Sequence, residues 1–336
     1  MKFAERLQQA AERDKLRLHT PGHKGELCAL DLTELSDGSF PDVAVAEAEA
    51  RIAAHYKVKH ARMLCGGSSQ GVKSAIYAIG ANGVADVNSH RSVFDGFLLA
   101  GKSVTTVGRR GEVTPITLDE IKRVLKPSDG LVVVTSPTYY GYCADVDGIA
   151  EFCRAHGLIF MIDGAHGAHF GASGLLPSAF ADKCDVCNVS AHKTLSALTQ
   201  SAILLDNFDG ARHTALDDAV GIMGTTSPSY LLYSSIDGAV EKLGSAQARY
   251  SALYGPVESL KADLPFLKND DFTRLVLDCA ALGADANKLN GALCRRGVFS
   301  EMNDGRRIVF IITADDDPQN IEILRGALNA AITEIQ

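Results

Sequence analysis

The sequence predicts an α/β protein: a mainly parallel seven-stranded sheet with helices on both faces, followed by a small C-terminal α/β domain. Three observations predict it. Seven short apolar runs between residues 62 and 205 alternate with segments of helical periodicity. The loops rich in Gly, Ser and His follow the C-terminal ends of those runs, where ligands bind in open α/β sheets. At 336 residues the chain is long enough for one large core and a smaller second one.

In order, Phe3, Leu7, Ala10 and Ala11 stand at helical spacing within residues 2 to 16. The segment His19-Thr20-Pro21-Gly22-His23-Lys24-Gly25 is a shaped loop. Leu30 to Leu35 alternates as a short strand would, and residues 43 to 57 read as an amphipathic helix. Strands are expected at 62–65, 84–88, 103–107, 130–135, 158–163, 185–190 and 203–205. Between them, helices are expected at 72–79, 92–100, 118–125 and 147–156. A single long helix from about Leu231 to Leu253 leads to strands at 273–278 and 307–312 and helices at 284–296 and 318–334. The expected division is an N-terminal arm with helices over 1–60, a large cofactor-binding domain over 61–230, and a linker helix with the small domain over 231–336.

Composition narrows the function. A net charge of −8 with no Lys/Arg cluster excludes a broad nucleic-acid face. No apolar run has bilayer length and the N-terminus lacks a secretion signal, so no membrane partner and a cytoplasmic address are expected. Eight cysteines spread through apolar runs read as free thiols, Cys184 and Cys187 included, and His166 with His169 lacks a third ligand, so no metal is expected.

The chemistry concentrates at Asp163 and Lys193, thirty positions apart (193 − 163), each following a buried-strand run. Two neighbouring strand ends would present a carboxylate and an amine to one crevice. That pair suits pyridoxal 5'-phosphate, for which a lysine holds the cofactor as an imine and an acid keeps the pyridine nitrogen protonated. Singly, Asp163 is also a plausible helix cap and Lys193 a surface charge. Gly66-Gly67-Ser68-Ser69-Gln70-Gly71 before a helix offers bare backbone N–H groups, hydroxyls and a positive dipole end to a phosphate, or else a serine cap after a tight turn. His90 at a strand end suits stacking on a heteroaromatic ring or proton transfer, or a solvated loop.

These stretches occur in a fixed order: His19 to Gly25, Gly67-Ser68-Ser69, Ser89-His90-Arg91-Ser92, Ser136-Pro137-Thr138-Tyr139-Tyr140-Gly141, Asp163-Gly164-Ala165-His166-Gly167-Ala168-His169 and Ser190-Ala191-His192-Lys193. Together, over most of residues 18 to 315, they resemble the bacterial ornithine/lysine/arginine decarboxylase family of fold type I pyridoxal phosphate enzymes. The resemblance implies a carboxy-lyase acting on a basic amino acid, in polyamine-related metabolism. It implies that Lys193 carries the imine, Asp163 pairs with the pyridine nitrogen, His90 stacks on the ring and Ala165 packs on its other face. His166 lies at the cofactor, and Gly67, Ser68, Ser69, Ser190 and His192 surround the phosphate. It also implies a homodimer with shared active sites, Thr225, Thr226 and Ser227 reaching the partner's phosphate. Lys193 or His90 is the expected acid for reprotonation. The chain departs from the family pattern at Gly66 and Gly71, where relatives often carry Asn, and members of the family usually continue well past the segment resembling Gly297 to Met302, whereas this sequence runs to Gln336.

Glu301, Asp304, Glu34 and Asp37 are candidates for the substrate's distal cation. Transamination or another lyase reaction is the competing enzyme reading, favoured by a buried Arg295, Arg306 or Arg307 aimed at the cofactor. The third reading is a cofactor-binding protein with little turnover.

Overall fold

Five consecutive buried residues, Ile159–Asp163, form the central strand β5, and the neighbouring runs behave the same way because a strand covered on both faces tolerates apolar side chains on each. The computed structural model describes residues 2–13, 16–33 and 41–335, without the side chains of residues 41 and 42. In chain order the elements begin with α1 (Phe3–Arg13), α2 (Pro41–Tyr56), β1 (His60–Leu64), α3 (Gly67–Ile79), β2 (Asn82–Asp86) and α4 (Arg91–Leu99). There follow β3 (Val104–Val107), α5 (Leu118–Val124), β4 (Asp129–Thr135), α6 (Val146–Ala155), β5, β6 (Val186–Val189), α7 (Ala191–Thr194), β7 (Ala202–Asp206) and α8 (Gly210–Met223). Last come α9 (Tyr230–Leu243), α10 (Gln247–Asp263), β8 (Arg274–Asp278), α11 (Ala286–Arg295), β9 (Met302–Asn303), β10 (Arg307–Ile311) and α12 (Pro318–Ile335).

The chain divides into two units. The first comprises Met1–Pro137, Ala144–Ala168 and Ala179–Lys242. Its seven-stranded sheet has the order β1-β7-β6-β5-β4-β2-β3. β3, β2, β4, β5 and β6 run parallel, while β7 is antiparallel to both β6 and β1. Leu131, Val133, Ile159, Met161 and Val186 join one apolar cluster with Val72, Ile76, Val93, Phe97 and Leu216 from α3, α4 and α8. The alternate residues Val132, Val134, Phe160 and Ile162 point to the opposite face, where α6 packs on β5. Each fully buried aliphatic side chain contributes about 1.5–3 kcal/mol of transfer free energy. The expected mainly parallel sheet covered on both faces therefore forms.

The second unit comprises Thr138–Cys143, His169–Ser178 and Leu243–Gln336. Its antiparallel sheet has the order β8-β10-β9, with Val309 opposite both Val276 and Met302. α11 packs on β9 and β10 and against α12, which also meets α10.

Four details differ from the sequence reading. The alternation over Leu30–Leu35 forms no strand in its described part, residues 30–33. Asp31 instead bonds His23 and Thr33 donates to the Thr20 carbonyl, tying the segment into the preceding loop. The long helix expected over 231–253 is broken by a turn at Gly244-Ser245-Ala246, since Gly carries a backbone-entropy cost in a helix. α3 starts at Gly67 rather than Val72, so the glycine–serine segment is helical first turn instead of loop. α8 goes unseen in the sequence because only Leu216 and Ala219 are buried, too narrow a stripe to give a period. Among the described residues no helix is long and apolar enough to cross a membrane.

Candidate active site

Three parallel strands set the site. Register places Thr135 beside Asp163 and Asp163 beside Asn188, so Asp163 stands at the carboxyl tip of β5 between two neighbours. It is 3% exposed. Burial pushes its carboxyl above the ordinary range, and the charges of Lys193 and His90 together with the Ala165 N–H pull it back down. That N–H donates to Asp163 Oδ1 at 3.3 Å, and Ala165 itself is buried.

Beyond β6, Ser190 is the N-cap of the four-residue helix α7, which carries His192 and Lys193. Lys193 Nζ lies 3.2 Å from Nε2 of the buried His166. The amine and the acid that follow two strand runs in the sequence thus act within Coulombic reach of one another. His192 Nδ1 is 2.9 Å from the Ser201 carbonyl oxygen and 3.2 Å from Ser190 Oγ. A carbonyl only accepts, which assigns the proton in that bond to Nδ1 and leaves Nε2 for another ligand.

At the start of α3 the N-cap is Gly66, which has no side-chain cap bond, and Gly67 has φ +68°. Ser68 and Ser69 are therefore in the first helical turn, not caps, and their backbone N–H groups belong to the set a helix leaves unpaired at its N-terminus. His90 caps α4: its Nδ1 accepts from the Ser92 N–H at 3.2 Å and lies 2.8 Å from Ser92 Oγ. The cap fixes the ring on the strand-end loop, close enough for its charge to act on Asp163.

Asn188 and Thr194 were not singled out from sequence. Asn188 is fully buried, and both polar atoms of its side chain lack hydrogen-bond partners among the described residues, as do Ser68 Oγ and Thr194 Oγ1. The readable signal was a lone Asn inside the apolar run Val186-Cys187-Asn188-Val189. Opposite it, a Cβ on Gly71 would lie 2.1 Å from Asn188 Oδ1 and 2.8 Å from Leu64 Cδ1. Gly71→Ala should therefore lower stability by about 1–3 kcal/mol through overpacking, read by denaturant unfolding; an unchanged midpoint would show that the site yields freely.

A buried acid, an amine, a helix N-terminus and unbonded buried hydroxyls fit pyridoxal phosphate. Thr225, Thr226 and Ser227 occupy an exposed loop after α8, where the Ser227 N–H donates to Thr225 Oγ1 at 3.2 Å. Among the described residues no other side-chain bond ties those three to the cofactor candidates.

The remaining candidates have other surroundings. His169 belongs to the second unit, with Nε2 3.2 Å from Thr273 Oγ1 and 3.3 Å from Asp271 Oδ2. Glu301 accepts from the Tyr139 hydroxyl at 2.6 Å and Asp304 from the Tyr140 hydroxyl at 2.9 Å, while Glu34 and Asp37 lie outside the described residues. Arg295 pairs with Glu334 and Arg307 with Asp304, and Arg306 is exposed. Among the described residues, His60, Asp206 and His213 bring donor atoms within 4.8 Å of one another, but the resident cation there is Arg62. Its Nη2 meets His213 Nδ1 at 2.8 Å, and it also pairs with Asp206 and Asp217.

Residues 26–253 match the family described as Orn/Lys/Arg decarboxylase, major domain. An arginine decarboxylase of Bacillus cereus is 26% identical over 375 residues, covering 96% of this chain and 80% of the relative. Lysine decarboxylase A from Pseudomonas aeruginosa has a TM-score of 0.81 at 17% identity, covering 98% of this chain and 59% of that one. An SPT chain with PLP has a TM-score of 0.74 at 16% identity, covering 99% and 84%. With such a sheet and such relatives, the protein is of the fold type I class of pyridoxal phosphate enzymes. It belongs to the Orn/Lys/Arg decarboxylase family and is a pyridoxal phosphate-dependent decarboxylase of a basic amino acid.

Proposed function

We propose that the basic amino acid is arginine, with Lys193 and Asp163 holding the two ends of the cofactor's chemistry. The observation that carries the residue roles is the buried Asp163 with the charge of Lys193 in its reach, Lys193 itself meeting His166 at 3.2 Å. The substrate choice rests on the Bacillus relative named arginine decarboxylase. When bound, pyridoxal phosphate supplies an electron sink for the pair left on Cα as CO2 departs.

The chain's own residues do the rest. Asp163 holds a proton at the pyridine nitrogen, a role for which its buried carboxylate needs a cation. His90, fixed by its cap, and the buried Ala165 would hold the cofactor ring between them. Gly67, Ser68, Ser69, Ser190 and His192 bind the phosphate, the first three through the start of α3. His166 orients the Lys193 amine, and Lys193 returns the proton to Cα.

The working form in this reading is a cytoplasmic homodimer, in which Thr225, Thr226 and Ser227 reach the partner's phosphate. Leu18, Leu27 and Ile222 are 82%, 85% and 70% exposed, apolar side chains of the kind that association covers. All eight cysteines are free thiols, in keeping with a reducing compartment. The product amine would enter polyamine-related metabolism.

A substrate panel on the purified holoenzyme tests this. Arginine should release CO2 and yield its amine with the highest kcat/KM, without keto-acid formation. A preference for lysine or ornithine would overturn the substrate assignment, and keto acid as main product would overturn the reaction.

A further inference from the structure

Arg274, the first residue of β8, is fully buried in the second unit, and none of its three guanidinium nitrogens has a hydrogen-bond partner among the described residues. A guanidinium brings five donors in a planar fork and keeps its charge under all ordinary conditions, so leaving it dry and unbonded is strongly unfavourable. Its surroundings are built rather than accidental. The turn after β4 lies on the Arg274 stem: Gly141 has φ +84°, and a Cβ there would meet Arg274 Cβ at 2.8 Å. Asn269 Nδ2 donates at 2.7 Å to the carbonyls of both Tyr140 and Arg274, and the N–H groups of Asp270 and Asp271 donate to the Gly141 carbonyl.

Two acids stand near the guanidinium without bonding it. Asp271 Oδ1 accepts from the Thr273 hydroxyl at 2.6 Å and the Thr273 N–H at 3.0 Å, while its Oδ2, 3.3 Å from His169 Nε2, is buried with no hydrogen-bond partner of its own among the described residues. Glu301 accepts from Tyr139. Both act on Arg274 through space without bonding its fork, and burial lowers the Arg274 pKa despite them.

We propose that Arg274 is the centre of a carboxylate-binding site in the second unit, its fork taking the two oxygens of a small, singly charged, planar carboxylate. Planarity and two acceptor oxygens match the fork, and the standing charges of Asp271 and Glu301 disfavour a dianion such as phosphate. The site goes beyond the decarboxylase reading and stands without it.

The test is the thermal stability of the full-length holoenzyme in sodium acetate against sodium chloride at equal ionic strength, for wild type, Arg274→Met and Arg274→Lys. Acetate at about five times its Kd should raise the wild-type Tm by ~2 °C more than chloride does. Arg274→Met should lose that increment, whatever its own Tm in chloride, because it has no fork to bind the carboxylate. Arg274→Lys, with a point charge in place of the fork, should show a smaller increment. No acetate-specific increment in wild type overturns the proposal, as does an increment that persists in Arg274→Met. Arginine in place of acetate separates two sources of the carboxylate. If its increment also vanishes in Arg274→Met, the site takes the amino acid's own carboxylate; if only the acetate increment vanishes, it takes a free one. Because acetate undergoes no turnover, the acetate readings hold whether or not arginine is decarboxylated.

Discussion

Lys193→Ala should abolish decarboxylation, with kcat falling by about 10⁴-fold or more, and should remove the visible absorbance of the lysine-bound cofactor. The size of the effect follows from the placement of the amine. Nζ stands beside His166 at 3.2 Å and within Coulombic reach of Asp163. Truncation to alanine leaves Asp163 fully buried with only the His90 charge and the Ala165 N–H to oppose desolvation, so its carboxyl should shift further upward. Folding is a lesser concern, because Lys193 is a half-buried residue of a four-residue helix and contributes little to the apolar cluster beneath the sheet. Stopped CO2 release with an unchanged far-UV spectrum is the expected pair of results. A visible band that survives the substitution would remove Lys193 from its role.

What could be read in advance, and what could not, follows from how each feature is encoded. A buried parallel strand writes itself as an unbroken apolar run, so β4 (Asp129–Thr135) and β5 (Ile159–Asp163) are legible within a residue or so at each end. Asp163 stands out because a polar group at the end of such a run is placed by the sheet itself, and Lys193 because it follows a second run by a single short turn of helix. α8 has no such signature, since Leu216 and Ala219 alone are buried along its length. The break at Gly244 was a weak signal in a helical pattern, where a single Gly costs only about 1 kcal/mol relative to Ala. Asn188 shows the remaining limit. One amide in an apolar strand reads as noise until the register sets it beside Asp163 and opposite the bare backbone of Gly71. Arg274 is a sharper instance, because the sequence Phe272-Thr273-Arg274-Leu275 gives no sign that the arginine is inside. Arg295, Arg306 and Arg307 drew attention as carboxylate binders, yet two of the three pair with acids and the third is exposed.

Asp163→Asn separates cofactor retention from catalysis. The substitution conserves shape and keeps an oxygen to accept from the Ala165 N–H, which now bonds Oδ1 at 3.3 Å. It also removes a carboxylate that burial disfavours, so the unliganded fold should be no less stable than wild type. The residues proposed to hold the phosphate, Ser68, Ser69, Ser190 and His192, are untouched, and the cofactor should still bind. What is lost is the negative charge that holds a proton on the pyridine nitrogen, and with it the ring's capacity to accept electrons as CO2 leaves. Loss of one preorganised charge of this kind lowers kcat by on the order of 10²–10³-fold, about 3–4 kcal/mol in the barrier. Cofactor content by absorbance and turnover by CO2 release, measured on the same preparation, should therefore diverge. Were both to fall together, Asp163 would be a binding residue first; were turnover to stay near wild type, the proton at the ring nitrogen would be held by some other group.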